Sequence, residues 1–172
     1  MAFKKLTVGN NAPDFVNVVI EIPMHESNVK YEINKDIGLP VVDRFLKVSM
    51  CYPCNYGYIP CTKGGDGDEL DVLVIADFPI HIGSLIVCRP VGMLVMEDES
   101  GNDEKIIAVP IDKIDKNFSK IKDIEDVEQE VKNKISHFFE NYKKLDKDKW
   151  VKVSNWLDKK NAKKLINDSL QF

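Results

Sequence analysis

The chain has 172 residues, 44% of them hydrophobic and 30% charged, with a formal net charge of −4. That length accommodates one domain, spanning 1–172, whose core needs no covalent staples, and the composition is ordinary for a globular chain. The acidic balance, with a pI of about 5.4, argues against nucleic-acid or anionic-membrane partners held by bulk charge, so an anionic ligand would need local positive charge or bound metal.

Residues 1–10 hold Lys4 and Lys5 with no long apolar stretch behind them, so no secretory signal is expected. The apolar run at 72–76 is far too short to cross a bilayer, and a cytoplasmic protein is the default expectation. Residues 16–22 are apolar and β-branched and read as a strand. Residues 29–33 alternate, placing Lys30 and Glu32 on one face and Tyr31 and Ile33 on the other. Turn chemistry at 34–38 and a second extended run at 40–45 predict a hairpin. Further strands are expected over 70–76, 85–96 and 105–110, between clusters of Gly, Pro, Asp and Asn. Several short strands at this spacing point to a closed or nearly closed barrel. From Val127 the period changes. Val131, Ile135, Phe139 and Tyr142 form the stripe of an amphipathic helix, with Asp126 and Gln129 placed as its cap and capping box. Residues 150–156 alternate again, and 158–170 form a second helix with Ala162, Leu165, Ile166 and Leu170 inward. The expected fold is mainly β: a small barrel flanked by two helices.

The four cysteines do not organise a site. Cys51 and Cys54 form a Cys-x-x-Cys, but Cys61 and Cys88 supply no comparable second pair, and the residues after Cys54 run into Pro60 and cannot open a helix. Four reduced thiols are expected.

The informative segment is Asp66-Gly67-Asp68-Glu69-Leu70-Asp71, preceded by two glycines. Its aspartates repel one another unless a cation neutralises them, and a hard cation such as Mg²⁺ prefers carboxylate oxygens. Alone, the hexapeptide fits an Asp/Gly-rich surface turn as well as a metal site. An EF-hand is excluded, because Leu70 and Asp71 fall where that loop needs an oxygen ligand and a glycine. A second acidic turn, 98–105, joins two predicted strands, with Asp103 and Lys105 on one face if the segment is extended. Lys30, Arg44, Tyr52, Tyr56, Tyr142 and Lys143 lie on elements able to converge at a barrel mouth. Each has a plain reading as a solvated or core residue; their weight is in the combination.

Taken in order, these residues resemble the class I soluble inorganic pyrophosphatases of bacterial type. The signature is Asp66-Gly67-Asp68-Glu69-Leu70-Asp71-Val72. It is accompanied by Val19-Ile20-Glu21-Ile22-Pro23, Lys30-Tyr31-Glu32, Asp43-Arg44-Phe45, Tyr52-Pro53-Cys54-Asn55-Tyr56-Gly57-Tyr58, Cys88-Arg89-Pro90-Val91-Gly92 and His137-Phe138-Phe139-Glu140-Asn141-Tyr142-Lys143. The likeness runs from about Val16 to Trp156. It implies a five-stranded OB-like barrel with flanking helices, several Mg²⁺ ions per active site, pyrophosphate as substrate, and a homohexamer. It also implies that Asp66, Asp71, Asp98 and Asp103 hold metal and that Asp68 acts on the nucleophilic water. Lys30, Arg44, Tyr56, Tyr142 and Lys143 would contact phosphate, with Glu21, Glu32, Tyr52 and Lys105 in support. Glu69 stands where many relatives have proline. Asn141 stands where some bacterial relatives carry a second histidine at their subunit interface. His25 and His81 match no functional position.

Seven of these carboxylates face four cations, leaving three negative charges in excess. Such a pocket repels pyrophosphate until divalent cations reverse its sign. Two other readings use the same residues. A metal phosphohydrolase for nucleotides would need an aromatic or apolar base pocket. An OB-type module for single strands would need a basic groove with stacking aromatics.

Overall fold

A computed structural model describes residues 5–26 and 28–171; Lys4, part of the N-terminal reading, lies outside them. The strands are β1 (Val16–Ile22), β2 (Val29–Asn34), β3 (Leu39–Phe45), β4 (Asn55–Tyr58), β5 (Asp71–Val74), β6 (Leu85–Asp98), β7 (Gly101–Asn102), β8 (Lys105–Pro110) and β9 (Val151–Asp158). Two helices, α1 (Gln129–Asn141) and α2 (Lys159–Asp168), flank β9 in the sequence. Strands β1, β4, β5, β8 and β6 pair in that order, and β6 pairs back onto β1, closing a five-stranded ring. All the ring's contacts are antiparallel except β5 with β8, which run parallel. Strand β9 adds to the far half of β6, while β2 and β3 form a separate two-stranded sheet. The OB-like barrel expected from the sequence is therefore the fold.

Two glycines allow close approach, Gly57 between two strands of the ring and Gly92 between the ring and the segments packed on it. At Gly57, between Tyr56 and Tyr58 on β4, an added Cβ would lie 1.9 Å from the Val19 carbonyl oxygen of β1. At Gly92 it would lie 2.7 Å from Ile124 Cβ and 2.8 Å from the Leu157 carbonyl oxygen. Gly92 is where β6 shifts register against β8 and bends towards β9. A strand of 14 residues thereby serves in the ring and also extends past it to carry Asp98.

Alternation along the strands divides the interior in two. Leu73, Ile107 and Val109 join Ile22, Tyr52, Tyr56 and the α1 residues Ile135, Phe138 and Phe139 in one cluster. Val72, Val74, Ile106 and Ala108 join Val16, Val18, Ile20 and the α2 residues Ala162 and Ile166 in the other. Each helix thus covers one apolar set, as its inward-facing residues require.

Three sequence expectations need correction. Strand β4 was not anticipated, because four residues that include a glycine carry no readable period. Asp126 does not cap α1: its carboxylate accepts from the Lys122 and Asp123 N–H groups in a capping box that belongs to a preceding 3-10 turn. Helix α1 starts at Gln129 behind Glu128, which makes no side-chain cap bond. Leu170 lies beyond the end of α2, bridging to Thr62 and only partly buried.

Because the clash at Gly57 is with backbone, Gly57→Ala should lower unfolding stability by about 3 kcal/mol. A urea midpoint equal to wild type would contradict this account of ring closure.

Candidate functional site

Register sets the centre of the site. In the parallel pair β5–β8, Asp71 sits beside Lys105, and in β4–β5, Tyr58 sits beside Asp71. Asp71 and Lys105 share the strand face of Leu73 and Ile107, at the open end of the cluster under α1. Asp103, two residues before Lys105, is anchored by its N–H donating to the Met96 carbonyl at 2.9 Å. The Lys105 ammonium lies 2.5 Å from an oxygen of Asp71 and 2.5 Å from one of Asp103, and 3.5 Å from the Tyr56 hydroxyl. Lys105 is 3% exposed. Burial works against its charged form, but Asp71 and Asp103 outweigh burial and push its pKa up. Burial is also the main influence on Asp103; its pKa is raised, despite Lys105.

Aromatic packing fixes the phenols. Tyr52 lies 5.1 Å from Tyr56 and 4.6 Å from Phe138, ring centre to ring centre, and Phe138 stacks on Tyr142 at 5.3 Å. Desolvation by this packing pushes all three tyrosines up, so their hydroxyls stay protonated donors. Lys143 follows Tyr142 at the end of α1 and donates to Asp98 at 2.6 Å. Partial burial raises Asp98, but Lys143 and the Ser100 N–H hold it below the usual carboxylate range. Across the cleft, the β2–β3 ladder sets Lys30 opposite Arg44 with Asp43 at a bulge. The Asp43 carboxylate accepts from Arg44 Nε at 2.7 Å and lies 3.4 Å from Lys30, which also meets Glu32 at 2.6 Å.

The remaining carboxylates form the rim. Asp66 and Asp68 are exposed on a loop held shut by Gly64 N–H to the Asp68 carbonyl at 2.7 Å and Asp68 N–H to the Asp66 carboxylate at 3.0 Å. Beneath it, Thr62 accepts from the Leu70 N–H at 3.0 Å and donates to the Ile59 carbonyl at 2.6 Å. The result is one cleft of about 400 Å³. Its walls include every residue proposed from the sequence: Glu21, Lys30, Glu32, Arg44, Tyr52, Tyr56, Asp66, Asp68, Asp71, Asp98, Asp103, Lys105, Tyr142 and Lys143.

A family profile described as inorganic pyrophosphatase matches residues 18–172. The chain belongs to the inorganic pyrophosphatase family. It is 51% identical over 170 residues to the inorganic pyrophosphatase of Rickettsia prowazekii, covering 99% of this chain and 98% of the relative. Among solved structures, the Helicobacter pylori inorganic pyrophosphatase is 50% identical with a TM-score of 0.92, covering 96% of each chain. The Thermus thermophilus enzyme is 44% identical with a TM-score of 0.93, covering 98% of this chain and 97% of that one.

The cleft also contains polar residues given no role from the sequence: Lys35, Ser100 and Asn102, which lie outside the quoted motifs, and Tyr58 and Glu69, which lie within them. Lys35 and Glu69 form an ion pair between two separate elements, which no spacing in the sequence reveals. Eight carboxylates against five cations leave the cleft three negative charges in excess. Its donors suit a hard divalent cation, since the wall has carboxylate oxygens and neither histidine nor cysteine. Among the described residues no three such groups close on one point. Asp71 and Asp103 are instead held by Lys105, and Asp98 by Lys143, so a metal there would share its ligands with these ammonium groups.

Glu21 reports on this charge. It is 8% exposed and accepts from the Ile33 N–H at 2.7 Å. Desolvation pushes its pKa to about 7, with Asp71 and Glu32 adding to the rise and the Ile33 bond opposing it. Its ordinary value is 4.5, so the unfolded chain releases this proton first. Stability of the metal-free protein therefore falls as pH climbs through that interval, by about 3 kcal/mol from this group. In chelator, Glu21→Gln should flatten the decline of melting temperature between about pH 5 and pH 8. An unchanged slope would show that Glu21 ionises normally.

Proposed function

We propose that this chain hydrolyses inorganic pyrophosphate to two orthophosphates, using Mg²⁺ and a water positioned by Asp68. The observation that carries the reading is the convergence of oxygen-only carboxylates, Lys/Arg groups and protonated tyrosines in one cleft of a family member. Bound divalent cations supply the missing positive charge and lower the pKa of a water they hold. In this reading Asp66, Asp71, Asp98 and Asp103 are their ligands.

Asp68 has a different task. It is exposed on the rim loop, with its backbone fixed by Gly64 and Asp66, so its carboxylate is free to accept the proton of the attacking water. Lys30 and Arg44 on the hairpin, with Lys143 at the helix end, offset charge on the phosphates as the bridging P–O bond breaks. Tyr56 and Tyr142 donate hydrogen bonds without altering net charge. Glu32, paired with Lys30, and Tyr52, packed between Tyr56 and Phe138, keep those groups in place. Glu21 fixes the hairpin near its turn, and Lys105 bridges Asp71 and Asp103.

The wall favours a small, highly charged substrate. Apart from the tyrosines its apolar members are Ile33 and Phe139, too little for a nucleoside base. Its excess negative charge likewise disfavours a nucleic-acid strand. Homohexameric assembly and a cytoplasmic location belong to the same proposal; sedimentation at six times the 19.6 kDa chain would support the former. No helix among the described residues is long and apolar enough to cross a membrane.

Purified protein should release orthophosphate from pyrophosphate with Mg²⁺ and stop in EDTA. Asp68→Asn should keep the fold and Mg²⁺ binding while losing about 10²-fold or more in kcat. Turnover of that variant near wild type would remove Asp68 from the mechanism. No turnover by folded, Mg²⁺-supplied wild type would remove pyrophosphate as substrate.

A further inference from the structure

The two halves of the cleft are carried by different pieces of structure. Lys30 and Arg44 lie on the β2–β3 hairpin, whose ladder pairs only with itself among the described strands, whereas the cleft carboxylates other than Glu32 lie on the barrel and its loops. Two-stranded sheets have little stability of their own, so the hairpin's position depends on how it is tied to the barrel. Just below its turn the tie is the Ile33 N–H bond to Glu21, with Ile33 packed against Val19 and Tyr58. The tip has a second tie. Asn34 accepts from the Asp36 and Ile37 N–H groups at 3.0 and 3.2 Å, and Gly38, at φ 73°, returns its N–H to the Asn34 carbonyl at 2.7 Å. That turn presents Lys35 across the cleft mouth. Its ammonium donates to the Glu69 carboxylate and sits 4.7 Å from the Tyr58 ring centre. Glu69 is the neighbour of Asp68, on a loop already closed by its own hydrogen bonds.

We propose that Lys35 and Glu69 form a latch that positions the hairpin cations over the carboxylate loop, so that Lys30 and Arg44 meet the substrate in register with Asp68. This rests on reading those two cations as phosphate contacts. Lys35 and Glu69 are positioning residues, acting through the hairpin. The aromatic face of Tyr58 guides the Lys35 ammonium towards Glu69 by a cation–π contact. The pair is partly exposed, so it is weak in water and adjusts the hairpin without holding the fold together.

A double-mutant cycle tests the latch. Lys35→Met and Glu69→Gln should each raise KM for magnesium pyrophosphate about fivefold, with kcat within about twofold of wild type. The double variant should be no worse than either single one, and the exchanged pair Lys35→Glu with Glu69→Lys should recover most of the loss. In the metal-free, substrate-free protein, both single variants should speed amide hydrogen exchange at 34–39 and leave the barrel strands unchanged. A KM effect confined to Lys35→Met, or additive losses, would mean that Lys35 binds substrate by itself. Wild-type exchange rates in both variants would also overturn the latch. Wild type without turnover would count against the proposed activity, and the exchange comparison would still decide the latch.

Discussion

The Lys105 ammonium, buried between Asp71 and Asp103, is the contact on which the rest of the site depends. Two carboxylates, one at the start of β5 and one in the link before β8, cannot share a largely buried corner without a cation between them. The parallel register of β5 and β8 supplies it within the chain. The corner is thereby stable enough to fold before any ligand arrives, and poor enough in positive charge to remain a demand for more. The same balance recurs where Lys143 meets Asp98 and where Lys30 and Arg44 meet Asp43. In each case a cation of the cleft or its hairpin is parked on a neighbouring carboxylate. Metal and substrate arriving together would exchange these internal pairs for external ones, which links the two binding events electrostatically.

The fold supports this by giving each component a rigid origin. The carboxylates proposed to hold metal stand at strand ends or on loops clamped by backbone bonds. The phenols are locked by ring packing against Phe138, and Lys143 ends a helix whose inward face is buried. The exception is the β2–β3 hairpin, attached to the barrel at Glu21 and Lys35 and carrying Lys30 and Arg44, two of the cations proposed to meet the substrate. Adjustment during turnover would concentrate there, because a separate ladder moves without breaking the ring.

Much of this was legible in the residues. The apolar, β-branched runs of β1 and β8, buried on both faces, and the helical stripe ending in Tyr142 stand out from their neighbours, so their elements could be located. The acidic clusters at 66–71 and 98–103 were visible as charge that needs neutralising. What stayed hidden depended on contacts distant in sequence. Strand β4 is too short to show a period, and its glycine has meaning only beside the Val19 carbonyl. The parallel pairing of β5 with β8 cannot be read from either strand alone. Asp126 looked like the cap of α1 because a 3-10 turn uses the same capping chemistry one step earlier. Lys35 and Glu69 each look like an ordinary surface charge until the hairpin is laid across the loop.

The central claim is that the assembled cleft is too negative to take its substrate without divalent cations. Calorimetric titration of methylene diphosphonate, a non-hydrolysable pyrophosphate analogue, into the protein with chelator and then with excess Mg²⁺ tests it most directly. The account predicts no measurable binding in chelator and saturable binding with Mg²⁺. Equal affinity in both conditions would contradict it, and would mean that the lysines, Arg44 and tyrosines alone suffice to hold the diphosphate.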